Sequence, residues 1–140
     1  MPRLLPFPLN ISSDFSPPPS LALLLPLHLL IEFFLNLVPS GPPLDVTVIF
    51  RSSESLGISW KAPHKNLRNG ELTGYQVCYS SSVINKNQNC LHIESSVLSY
   101  NIPKLYSSTK YFVTVAASTK IGFGNKSLAI SKITNGGKWV

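Results

Sequence analysis

From residue 39 onward, apolar and polar positions alternate in short runs separated by turn-forming residues. A period of two is what a strand with one buried face requires, because successive side chains point to opposite sides. The pattern predicts a first strand over 45–50, with Val46 and Val48 inward, and a second over 55–60, where Leu56, Ile58 and Trp60 share a face. Residues 62–71 carry Pro63 and the turn dipeptide Asn69-Gly70. A third strand, 72–80, puts Tyr75, Val77 and Tyr79 on one side, and a polar stretch leads to a short fourth at 90–94. The fifth, 98–104, points Tyr100 and Ile102 one way and closes on Pro103, which suits a sheet edge or a strand end. The sixth, 109–118, aligns Tyr111, Val113, Val115 and Ala117. Gly122-Phe123-Gly124-Asn125 then reads as a turn, and 128–133 as the seventh strand. Seven short strands without an internal repeat predict one all-β sandwich over 39–135 and a tail at 136–140.

Residues 1–38 follow a different rule. Prolines at 2, 6, 8 and 17–19 oppose both helix and sheet, and in 21–38 fourteen of eighteen residues are apolar. Pro26, His28, Glu32 and Asn36 interrupt that run. A spanning helix needs about 20 mostly apolar residues, and a carboxylate in mid-span costs roughly 3 kcal/mol on insertion scales. A signal peptide wants a basic start and a small-residue cleavage site, but Arg3 is opposed by Asp14 and Pro42-Pro43 crowd Ser40 and Gly41. Three readings stay open for 1–38: a signal or signal-anchor segment, a membrane-spanning helix, or a disordered leader foreign to the domain.

Charge and cysteine content narrow the partners. Twelve Lys and Arg against six Asp and Glu give a formal charge of +6, and ten of the twelve lie singly between Arg51 and Lys132. Without a basic run a nucleic-acid stripe is not expected; a scattered positive face is compatible with heparin-like polyanions or acidic membrane surfaces. Two cysteines do not make a disulfide scaffold, and their spacing is not that of a zinc site. Strand parity is more telling. If Tyr75, Val77 and Tyr79 face the core, Cys78 faces out, and Cys90 does too if Leu91 and Ile93 face in. A Cys78–Cys90 bridge then requires a matching cross-strand register and an oxidising compartment; the other outcome is two free thiols.

No catalytic constellation is visible. His28, His64 and His92 lie in three separate contexts, which predicts no metal site. Gly122-Phe123-Gly124 precedes a strand and not a helix, so a turn accounts for it without a nucleotide. Gly-x-Ser-x-Gly is absent, and Asp45, Glu54, Glu71 and Glu94 form no evident pair. The chain is therefore expected to be no enzyme and to need no cofactor.

The order of Trp60, then Tyr75-x-Val77-x-Tyr79, then Leu105 with Thr109 and Tyr111 resembles the fibronectin type III domain over residues 39–134. The resemblance implies a seven-strand, immunoglobulin-like β-sandwich. Trp60 stands in the position of the family's core tryptophan, Tyr75, Val77 and Tyr79 in the inward positions of the third strand, and Leu105, Thr109 and Tyr111 in the tyrosine corner. Pro42-Pro43 resembles the family's proline-containing entry, whereas Ser107-Ser108 replaces the frequent Pro-Gly of the corner. Neither Trp-Ser-x-Trp-Ser nor Arg-Gly-Asp occurs. The stretches 69–75 and 116–124 look most like repeats of neural adhesion receptors and receptor tyrosine phosphatases.

What this resemblance implies is a non-catalytic, extracellular or cell-surface binding or spacer module of an adhesion or receptor-like protein. Alternatives are an ectodomain piece of a receptor enzyme such as a receptor tyrosine phosphatase, and an intracellular structural module. Asn10 and Asn125 open Asn-x-Ser acceptors for glycosylation, Asn125 on an expected exposed turn. Loop residues Lys65, Arg68 and Asn69, with Lys120, Phe123 and Lys126, are the expected partner contacts at one end of the sandwich. Phe123 has two readings, packing over that end or touching a protein partner. The apolar part of 1–38 is the candidate membrane attachment.

Overall fold

A computed structural model describes residues 26–30, 37–81 and 87–138. Residues 26–30 form a helical turn by themselves, with the Leu29 and Leu30 N–H groups donating to the Pro26 carbonyl. No helix among the described residues is long and apolar enough to cross a membrane. Asn10 and most of the 1–38 leader lie outside the described residues.

The remainder is a sandwich of two antiparallel sheets. One holds β1 (Leu44–Arg51), β2 (Leu56–Lys61) and β5 (Ser99–Ile102) in the order β1-β2-β5. The other holds β4 (Asn89–Glu94), β3 (Gly74–Ser80), β6 (Lys110–Thr119) and β7 (Gly122–Lys126), with β8 (Ile130–Ile133) also paired to β6. Alternation explains the core: Leu56, Ile58 and Trp60 from β2 meet Tyr75 and Val77 from β3 and Val113 and Val115 from β6, all buried. The Trp60 and Tyr75 rings pack edge to face, centroids 5.5 Å apart. Burial holds the Tyr75 phenol above its ordinary pKa, opposed by the positive charge of Arg68.

Two features depart from the expected strand plan. The seventh strand begins earlier, because Gly122-Phe123-Gly124-Asn125 is not a turn but most of β7. The reversal is made at Lys120–Ile121, where Gly122 adopts φ +157. The strand then divides at 127–129, so eight strands are present among the described residues. At the break the Ser127 hydroxyl takes the Val115 N–H (3.0 Å) while Ser127 N–H donates to the Val115 carbonyl (2.8 Å). A side chain thus replaces one rung of the ladder and leaves Leu128 out in solvent.

Candidate functional site

One end of the sandwich is knotted by the corner between β5 and β6. Leu105 is buried, and its N–H donates to the Glu54 carbonyl. The Tyr111 ring is buried, and its hydroxyl accepts the Tyr106 N–H at 2.9 Å. Thr134, 2% exposed, donates to the Tyr106 carbonyl (2.6 Å) and accepts the Thr109 N–H (3.0 Å). Ser108 N–H reaches Asn135, and Asn135 N–H reaches Ser52. The backbone there is satisfied by protein groups, and a shallow groove of about 610 Å³ lies against it, lined by Glu54, Leu105, Tyr106, Ser107 and Lys138 among others. Ser108 takes a positive φ of 51, the strain this corner carries in place of a glycine.

The opposite end is also concave. A groove of about 540 Å³ is lined by Leu37, Asn69, Glu71, Thr119, Lys120 and Ile121, among others. It combines a carboxylate, an ammonium group and an exposed isoleucine side chain. Asn69 and Lys120 meet in this groove; Lys65 is not among its lining residues and lies on an exposed 3-10 turn at Lys65–Leu67. Arg68 folds back, its Nε donating to the Pro63 carbonyl at 2.8 Å. The wall formed by 37–40 is strapped on by polar side chains: Thr119 to the Leu37 carbonyl (2.7 Å), Asn69 to Val38 (2.9 Å) and Asn125 to Ser40 (2.7 Å). Leu37 and Val38, which sequence grouped with the leader, therefore pack with the sandwich. Glu71, Thr119 and Ile121 escaped the sequence reading because nothing local marks a residue as groove-lining; the topology brings them together.

Phe123 and Lys126 are not at that end. Both stand on the outer face of the five-strand sheet, where Phe123 is opposite Ser118 and Lys126 opposite Ala116. The Phe123 ring, 41% exposed, rests against His92 with centroids 5.4 Å apart, and Lys126 Nζ donates to Gln88 at 3.2 Å. The expected sharing of one end fails because their segment is a strand and not a loop. Asn125 likewise lies in β7, still exposed, with its amide nitrogen donating to the Ser40 carbonyl.

On the same outer face Cys78 and Cys90 are directly opposite in the β3–β4 register and disulfide-bonded, with Cα atoms 4.0 Å apart. Cys78 is wholly buried although it points away from the core, whereas Cys90 is exposed at the sheet edge. Tyr79 is half-buried, its ring edge to face with Tyr111 at 6.4 Å. Among the described residues no group of three or more His, Cys, Asp or Glu could hold a metal ion.

Residues 41–133 match the family model of the fibronectin type III domain, and the chain belongs to that family. It is 34% identical over 100 residues to the cell adhesion molecule DSCAML1 of Homo sapiens, a match covering 69% of this chain and 5% of that protein. Tyrosine-protein phosphatase Lar of Drosophila melanogaster is 33% identical over 102 residues, again covering 69% and 5%. The crystal structure of the FN5 domain of Drosophila Lar is 31% identical with TM-score 0.57, covering 71% of this chain and all of that one. The matched region thus spans about 5% of the length of these curated relatives.

Proposed function

We propose that the domain is a non-catalytic, extracellular protein-binding or spacer module of a cell-surface adhesion or receptor-like protein. The observation that carries this reading is the Cys78–Cys90 bridge in a domain whose relatives include a cell adhesion molecule. A structural bridge persists outside the cell and is rare in the cytosol. Binding works through shape at the groove end, where Asn69, Lys120 and Ile121 line the concavity. Phe123 and Lys126 belong to a second, outer-face surface. An N-linked glycan at Asn125 fits this picture, since one amide hydrogen remains for the Ser40 carbonyl. The Lar match favours a second setting, the ectodomain of a receptor phosphatase, in which the module's own role is the same.

Expression of the full chain through a secretory pathway tests the proposal. The product is expected to resist thiol alkylation until reduced and to gain mobility on deglycosylation, a shift lost in Asn125→Gln. An unshifted band with both cysteines freely alkylated sinks the extracellular reading.

A further inference from the structure

Four strand edges bound the two sheets, and three of them are blunted. β1 has register shifts between Leu44 and Thr47 and between Val48 and Phe50. β5 has four residues and runs into Pro103. The β7–β8 edge is broken at 127–129. β4 differs: it pairs with β3 over six consecutive residues without a shift, and it contains neither proline nor lysine. Proteins ordinarily protect such an edge, because its unpaired N–H and C=O groups template another strand.

The register shows which groups are free. The 4.0 Å Cα separation of Cys78 and Cys90 is the short spacing of a non-hydrogen-bonded antiparallel pair. Alternation along the strand then turns the N–H and C=O of Cys90 and His92 and the N–H of Glu94 away from β3, toward the open side, while the Glu94 carbonyl takes the Val97 N–H at 3.1 Å. The bridge locks this register. The His92 ring lies over Phe123, which draws it off the edge. Inward, Leu91 and Ile93 are half-buried and end the apolar layer with one flank uncovered.

We infer that the β4 edge pairs antiparallel with β4 of a second copy of this chain, about a two-fold axis at His92. In that register His92 exchanges hydrogen bonds with His92 of the second copy, the Cys90 carbonyl accepts the second copy's Glu94 N–H, and Leu91 lies opposite the second copy's Ile93, apolar against apolar on both sides of the axis. An axis at Glu94 opposes two carboxylates, axes at Cys90 and at Leu91 set Asn89 against Leu91 and against Ile93, and an axis at Ile93 sets Leu91 against Ser95, so only the His92 axis gives both apolar residues apolar partners. Self-complementarity therefore selects the His92 axis. The pairing joins the two five-strand sheets into one. Six residues a side is well below the roughly 20–30 of a standard interface, so the contact is weak alone and counts where copies are concentrated.

Sedimentation velocity of the full chain under non-reducing conditions, up to about 1 mM, is expected to show reversible dimer formation. His92→Pro removes an N–H that faces the open edge and not β3, so it should leave the cooperative melt in place and abolish the dimer. Should that variant not fold, His92→Cys decides: the facing residues are about 5.5 Å apart at Cα, within disulfide reach, so oxidation should give a covalent dimer well above the exposed control Asn101→Cys. A chain that stays monomeric at about 1 mM, association that survives His92→Pro unchanged, or cross-linking no better than the control overturns the proposal.

Discussion

The two ends of the sandwich are built on opposite principles. At the corner end, buried side chains hold the backbone: the Tyr111 hydroxyl and the Thr134 hydroxyl between them satisfy the Tyr106 N–H, the Tyr106 carbonyl and the Thr109 N–H. At the groove end, Asn69, Thr119 and Asn125 reach outward to carbonyls of 37–40 and leave a concave surface between them. A hydrogen bond at the first end is lost into a dry environment, whereas water can replace much of one at the second. Stability thus concentrates at the corner end.

The largest test of that contrast is Tyr111→Ala. It deletes the ring from the core and strands the Tyr106 N–H, so urea denaturation should report a loss of about 3–5 kcal/mol. Thr134→Val keeps the shape but leaves the Tyr106 carbonyl and Thr109 N–H unpaired, with an expected cost of about 1–3 kcal/mol. Asn69→Ala at the groove end should cost less than about 1 kcal/mol while weakening partner binding more than either corner change. Equal costs at the two ends would collapse the comparison.

The smallest effect is in alkali. Burial keeps the Tyr75 phenol protonated in the folded chain where the unfolded chain has already ionised, so stability is flat below about pH 10 and falls above it. Lys61, raised by its hydrogen bond and charge pairing with Asp45 (2.8 Å), has the same sign: its contribution is present at neutral pH and lost as pH rises through its raised value. That pair is fully exposed and should fade in 1 M salt, while the Tyr75 part persists and disappears in Tyr75→Phe. Urea midpoints from pH 7 to 11 separate the two.

The fold was legible because its determinants are periodic and local. Leu56, Ile58 and Trp60 announce a buried face by alternation, and Leu105 with Tyr111 marks the corner by spacing. The β7 boundary was hidden because its glycines imitate a turn, yet both sit in a strand. Gly124 is small for another reason: a Cβ there would run into the Pro39 carbonyl. That is a non-local demand, invisible in a neighbourhood of Phe123 and Asn125. The groove was half legible. Its polar loop residues stood out, but Thr119 and Ile121 acquire their place only when β6 turns back beside the 69–73 loop.

The polar straps over 37–40 also set how the domain takes a mechanical load. Tension arriving along the chain from residue 37 meets the bonds from Thr119, Asn69 and Asn125 before it reaches the β1–β2 ladder. They are loaded one after another, as in unzipping, so each yields separately while the core remains intact. Two of the three, Thr119 and Asn69, also line the groove. Pulling on the chain at this entry would therefore reshape the binding end first, which makes these straps a fuse between traction and recognition.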